Sequence, residues 1–240
     1  MIKQLSQRLL GPVTLVSLAL TIWLGLWVTP PDRLQGNLVR LLYVHPAIAW
    51  VALYVSFGTS VIASCLYLWR RTRSVVMDRV AFCAMEIAAV FIALTLVTGS
   101  IWGRPTWGVW WAWDARITST AILFVFALGY LALRRANDDP ELRAKRSAVF
   151  AIIAALNVPI DHFSVDWWHT LHQGASVFTE NGNFLVHGSM LWTMFLSLFA
   201  FTLLFFWLLR ARYRLEVRRD ERYARALEEA LVQRRREGVH

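Results

Sequence analysis

The sequence predicts an all-α polytopic membrane protein with six transmembrane helices, and three observations carry that prediction. The chain is 57% hydrophobic and only 17% charged, whereas a soluble domain carries about a quarter charged residues. Its apolar residues fall in blocks long enough to cross a bilayer, which takes about 20 helical residues. Its basic residues gather just outside alternate blocks, as in loops held on the cytoplasmic side.

The blocks are six: 10–28, 46–69, 81–101, 117–133, 148–160 and 184–209. The first follows a short basic start with no small-residue cleavage site, so it reads as a retained span. The third, "EIAAVFIALTLVTGS", holds small residues suited to close helix packing. The fifth is short and ends at "NVPIDHF", where Pro159 is expected to break or kink the helix. Glu86, near the inner end of the third block, reads as an interfacial acid reaching headgroups or the Arg70–Arg79 loop. Cys65 and Cys83 read as small buried hydrophobes, and no CxxC or CxxCH is present.

Six spans put both termini on one side. The terminal side holds Lys3 and Arg8, then Arg70, Arg71, Arg73 and Arg79, then Arg134, Arg135, Arg143, Lys145 and Arg146, and ten arginines from Arg210 onward. The other side has Arg33, Arg40, Arg104 and Arg116, and its last loop, 161–183, has no Lys or Arg. Both termini are therefore expected in the cytoplasm. The net charge of +9 follows this distribution, so a nucleic-acid partner is not expected. Residues 1–209 read as the membrane domain, and 210–240 as a basic, helical cytoplasmic tail with Tyr223, Leu227 and Leu231 at four-residue steps.

The same topology puts "WGRPTWGVWWAWDARITS" (102–119) outside, between the third and fourth spans. Asp114 or Arg116 at mid-bilayer would cost about 2.5–3.5 kcal/mol on insertion scales, so an interfacial position is also favoured energetically. Tryptophans at headgroup depth form belts, but belts scatter over many helix ends. Here Trp102, Trp107, Trp110, Trp111 and Trp113 sit in one connection, shaped by Gly103, Pro105 and Gly108. If the segment is helical, Trp107, Trp110, Trp111 and Asp114 share a face and form a platform for a flat ligand.

Five histidines, His45, His162, His169, His172 and His187, fall on this outer side, and His240 is terminal. His45 opens the second block five residues after Arg40, and His169 and His172 are three apart in "DWWHTLHQGASV". Imidazole ligates haem iron, zinc and copper alike. Two distant histidines, an aromatic platform and arginines for carboxylates fit haem better than a zinc cluster, although the residues alone leave both open.

"LVTGSIWGRPTWGVWWAWDARITS" with "WWHTLHQGAS" resembles the cytochrome c maturation protein C (CcmC) family of tryptophan-rich haem-handling membrane proteins, from about residue 10 to 209. The resemblance implies a non-enzymatic protein that holds haem b without a covalent bond at the outer face of the cytoplasmic membrane. It implies delivery to a membrane-anchored haem chaperone, alongside the membrane subunit and ATPase of an ABC-type transporter and a possible small membrane subunit. By correspondence, His45 and His172 are the axial ligands, and Arg40 and Arg116 serve the propionates. Trp102, Trp107, Trp110, Trp111, Trp113 and Asp114 complete the site, and His169 is secondary. The chain departs from the family in reading His45-Pro46 where many members read H-V-P. The alternatives fit less well. A haem lyase of the same superfamily is larger, a b-type electron-transfer subunit needs mid-bilayer ligands, and a purely structural anchor needs no external histidines.

Overall fold

The computed structural model describes residues 2–69, 73–174, 186–236 and 238. Arg70, Arg71, His240 and positions 175–183 of the last connection lie outside the described residues, as do the side chains of Lys3 and Arg8. The described chain is helical, with one isolated antiparallel bridge between Asp32 and Gly36.

Helix α1 (Ile2–Trp23) leads through a π turn (Leu24–Val28) into the first connection. A 3-10 helix (Asn37–Tyr43), α2 (His45–Trp50), a second π segment (Val51–Phe57) and α3 (Gly58–Trp69) form the second span. Then come α4 (Val75–Trp107), α5 (Ala115–Arg135), α6 (Pro140–Ala154), α7 (Asn157–Trp167) and α8 (Gly188–Arg236). Six of these runs are long and apolar enough to span a membrane, with α6 and α7 together making the fifth, so the protein is a multi-pass membrane protein.

Helix α4 is the hub. It packs against α2, α3, α5 and α8, and Ala81, Ala84, Ala88 and Ala89 on it are buried. Small side chains let the helix backbones approach, and van der Waals contact then replaces the hydrophobic drive that lipid removes. One approach is close enough for Ser60 Oγ to donate to the Ala81 carbonyl at 2.8 Å. Helix α1 packs on α8 and turns Val16 and Trp23 outward, as the following π turn does Trp27, as lipid allows.

The fifth span corrects the expectation set by Pro159. The chain kinks earlier, at Ala155–Leu156, where Leu156 N–H donates to the Ile153 carbonyl. Helix then resumes through Pro159 to Trp167. Pro159 is the third residue of α7, where a helix N–H has no intrahelical partner to lose. The start of α6 follows local rules: Asp139 caps it by accepting from Glu141 N–H at 3.0 Å, and Pro140 sits at the first position.

Two other expectations change. Glu86 pairs across the bundle with Arg212 of α8, accepting from Nε at 3.1 Å, a partner on another helix that the sequence pattern does not point to. Cys83 is buried, but Cys65 is exposed on the outside of α3. Helix α8 continues unbroken past the apolar stretch to Arg236, exposing Tyr223, Leu227 and Leu231.

Candidate functional site

The sequence-predicted residues collect at the end of the bundle away from the chain termini. His45 begins α2, immediately after the 3-10 turn. That turn is tied to α8, where Ser197 Oγ donates to the Tyr43 carbonyl. His45 Nδ1 lies 2.9 Å from Thr98 Oγ1 on α4. Thr98 spends its own proton on the Leu94 carbonyl, at 2.7 Å. Its oxygen is therefore an acceptor toward His45, which places the imidazole proton on Nδ1 and the lone pair on Nε2. The ring fits because residue 99 is glycine: a Cβ there would come within 3.2 Å of His45 Cε1. Trp102 meets the imidazole edge-on at 5.9 Å, and its indole N–H donates to Gln35 Oε1 at 2.9 Å.

Helix α4 runs through Pro105 and stops at Trp107. Gly108, at φ 79°, returns its N–H to the Arg104 carbonyl, a left-handed cap that glycine adopts without strain. Residues 108–114 are not helical. Trp107, Trp110, Trp111 and Asp114 therefore do not share a helical face, which corrects the periodicity expectation. Trp107 sits in the last turn of α4, with its ring 6.2 Å from that of His172. Trp111 is half-buried and meets Trp113 edge-on at 5.5 Å. Its Nε1 is buried and has no hydrogen-bond partner among the described residues. Trp110 and Trp113 are exposed.

Asp114 does structural work. Oδ1 caps α5 by accepting from Ile117 N–H at 2.8 Å. Oδ2 accepts from Leu171 N–H at 3.2 Å, which moors the last loop one residue before His172. His172 Nδ1 lies 3.0 Å from the Gln173 carbonyl, which can only accept, so this ring too carries its proton on Nδ1 and leaves Nε2 open. Burial pushes the His172 pKa below its ordinary value of 6.5, aided by the charge of Arg116 and opposed by the Gln173 carbonyl. Both Arg116 and His172 lie within electrostatic reach of His45.

Arg116 is gripped by α7: Nε donates to Ser164 Oγ at 2.9 Å and an Nη to the His162 carbonyl at 2.6 Å. Behind that grip is a polar cluster that sequence reasoning passed over. Asp161, 1% exposed, accepts from Ser119 at 2.6 Å and Thr120 at 2.8 Å. Asn157 donates to the Ser119 carbonyl and Ser164 to the Asp161 carbonyl. The signal was available, since Asn157, Asp161 and Ser164 recur at helical spacing inside an apolar span.

Not every predicted residue joins this group. Arg40 donates to the Gly25 carbonyl and, at 3.3 Å, to Asn37 Oδ1 on the first connection. His169 and His187 are exposed. Among the described residues, no three His, Cys, Asp or Glu side chains cluster to hold a bare metal ion.

The family model described as CcmC, heme exporter protein C, matches residues 1–228. The chain belongs to that family. It is 41% identical over 210 residues to the heme exporter protein C of Bradyrhizobium diazoefficiens, covering 88% of this chain and 78% of that protein. The heme exporter protein C of Haemophilus influenzae is 40% identical, covering 87% and 83%. A putative cytochrome c biosynthesis ccmC-like mitochondrial protein of Marchantia polymorpha is 40% identical over 191 residues, covering 78% and 79%. CcmC membership agrees with the tryptophan-rich connection and with a multi-pass helical fold.

Proposed function

We propose that this chain binds haem b non-covalently between His45 and His172 and passes it on for cytochrome c maturation. The observation that carries the reading is the matched state of the two imidazoles. Each Nδ1 is engaged, His45 by Thr98 and His172 by Gln173, so each ring offers Nε2 as a neutral donor. Metal-bound histidines are oriented by such a partner on the other ring nitrogen. The donor set also suits a flat, amphiphilic dianion. Trp102 and Trp107 flank the imidazoles, and the Trp111 N–H, without a partner among the described residues, is a buried donor that a ligand oxygen would satisfy. Arg116 supplies guanidinium charge for a propionate, while Arg40, engaged by Gly25 and Asn37, stands apart from it, and exposed Trp110 and Trp113 form an outer rim. Asp114 serves the site by holding the His172 loop.

The positive-inside distribution supports a site at the external face of the cytoplasmic membrane, with residues 210–240 as a cytoplasmic extension of the 1–209 membrane domain. The relatives' name, heme exporter protein C, supports export. The partners of this reading are an ABC-type transporter and a membrane-anchored haem chaperone. The chain's part is to hold the porphyrin near a surface, within loops that can move, so that a competing ligand on a chaperone can draw it off.

The test is a visible spectrum of the purified chain after haem addition. A bis-imidazole spectrum is expected, lost in His45→Ala and in His172→Ala and kept in His169→Ala. The ligand assignment fails if His169→Ala removes it and His172→Ala does not. Transfer of the haem to a purified chaperone domain tests delivery.

A further inference from the structure

We infer that the buried carboxylate of Asp161 is a positioning residue for Arg116: it clips the first turn of α5 to α7, and as a fixed negative charge beside the guanidinium it weakens the grip of Arg116 on a ligand carboxylate, so that a carboxylate-bearing porphyrin can leave. This role builds on the proposed haem site and adds a residue that the site does not otherwise use.

Asp161 lies in a stretch apolar enough to span a membrane, where an ionisable side chain is costly and calls for a use. It is 1% exposed, and Ser119, Thr120, Asn157 and Ser164 around it are buried too. Among the described residues, no Lys, Arg or His forms an ion pair with it. Its Oδ1 accepts from two hydroxyls instead, Ser119 at 2.6 Å and Thr120 at 2.8 Å, as suits an acceptor-only carboxylate. An apolar side chain would join α5 to α7 without the cost of removing an acid from water. The acid is explained by a charge that it faces.

Arg116 is that charge. The hydroxyls of Ser119 and Thr120 also lie 3.0 and 2.9 Å from the Arg116 carbonyl, so the turn that binds Asp161 is the one that carries Arg116. On α7 the guanidinium is held by neutral acceptors on either side of the sequence step next to Asp161, the His162 carbonyl at 2.6 Å and Ser164 Oγ at 2.9 Å. Ser164 in turn donates to the Asp161 carbonyl at 2.7 Å. Arg116, like Asp161, is in no ion pair among the described residues. Both lie within electrostatic reach of His172 and of Tyr54.

Two opposite charges are thus held on neighbouring helices, close enough to act on the same rings and kept from closing into a pair. A closed pair would use up the guanidinium, and an isolated guanidinium would grip a propionate tightly. The separated charges do neither. A carboxylate at Arg116 meets a cation whose field is partly cancelled by Asp161, which lowers affinity and eases departure. Asp114, another acid within reach of His172, is taken up by the Ile117 and Leu171 N–H groups.

The experiment titrates the full chain in nanodiscs with haem and with haem dimethyl ester, which lacks the free carboxylates. Asp161→Asn keeps an acceptor for Ser119 and Thr120 and removes the charge. It should bind haem roughly four- to thirty-fold more tightly than the unaltered chain, the span for unit charges about 8–20 Å apart at a protein dielectric. The ester should bind both chains alike. Release of haem to apomyoglobin should slow by a similar factor. The clip is read separately in the empty protein, whose melting temperature should hold in Asp161→Asn and fall in Asp161→Leu, which strips both hydroxyls of their acceptor. Asp161→Ser, a smaller neutral acceptor, replaces Asp161→Asn if that variant does not fold. Weaker binding of haem, an equal shift for both porphyrins, or no shift overturns the charge role, and equal melting of Asp161→Leu and the unaltered chain overturns the clip. If the unaltered chain binds both porphyrins and Asp161→Asn leaves their ratio unchanged, the role of Asp161 fails and the haem site stands. If the unaltered chain binds neither, the haem reading fails and this role with it.

Discussion

The two ends of the bundle use polar groups in opposite ways. At the end that carries the termini, Arg134 and Arg79 are paired with acids of neighbouring helices, and Arg143 Nε is buried without a partner among the described residues. Arg134, 8% exposed, grips Asp78 through both Nη atoms, at 2.5 and 2.9 Å, beneath a cation–π contact with Phe82 at 4.7 Å. Arg79 donates to Asp220 at 2.9 Å and Arg146 to Asn137 at 2.7 Å. At the opposite end, groups are fixed on one side and left open on the other. His45 and His172 are held at Nδ1 and offer Nε2, and the Trp111 N–H is buried without a partner among the described residues. Closed pairs hold helices together. Half-satisfied groups cost stability, and a ligand that completes them repays it.

Breaking a closed pair should give the largest effect on stability and little on binding. Arg134→Ala leaves the part-exposed Asp78 without this partner, for which the expected loss is about 1–3 kcal/mol. Thermal denaturation in detergent would show it, with the bound-haem spectrum unchanged in surviving protein. If that variant instead altered the spectrum at full stability, the division between the two ends would fail.

Loosening a half-open group should do the reverse. Thr98→Val removes the acceptor that orients His45, and loss of such a partner lowers affinity about 10- to 100-fold. Haem titration measures this, and stability of the empty protein should barely move. Asp114→Ala acts on both properties. It removes a helix cap worth about 0.5–2 kcal/mol, and it frees the His172 loop, so haem affinity should fall alongside a modest loss of melting temperature.

The pH profile sharpens the contrast. Burial lowers the His172 pKa below 6.5, so the folded chain holds fewer protons at that ring than the unfolded chain does. The neutral form persists to lower pH than in the unfolded chain, and stability and ligand capacity are lost as pH falls from 6.5 through the lowered value. Haem binding should therefore be flat from neutral pH down to 6.5 and decline only in more acid buffer. A midpoint above 6.5 would mean that this imidazole is not buried as described. The smallest effect belongs to single tryptophans. Trp107→Ala, beside His172, should cost about 0.5–1.5 kcal/mol of haem binding beyond lost area, and the exposed Trp113→Ala less, as competition titrations would resolve.

The tryptophan connection and the histidines were legible because composition concentrates them. The thing that escaped was partnership. Thr98 looked like one more threonine in an apolar span, and its role depends on α2 packing against α4 so that its oxygen meets His45. Asp114 looked like the edge of a ligand platform, whereas its oxygens hold the N-terminus of α5 and Leu171. The expected aromatic face assumed helix past Trp107, and Gly108 ends that helix. Pro159 suggests a break or kink, yet in the first turn of α7 its missing N–H costs nothing.

The sequence by itself determined the six apolar runs, the side on which arginines accumulate, and the aromatic connection that marks the family. Those properties are sums over neighbouring residues, since hydropathy and charge density add along a chain whatever its partners. Only the tertiary structure decided which nitrogen each histidine offers, where arginines pair with acids, and that α7 holds Arg116. Hydrogen bonds are directional and short. Their partners here lie tens of residues apart, 53 for His45 and Thr98 and 57 for Asp114 and Leu171, so they exist only once the helices have packed.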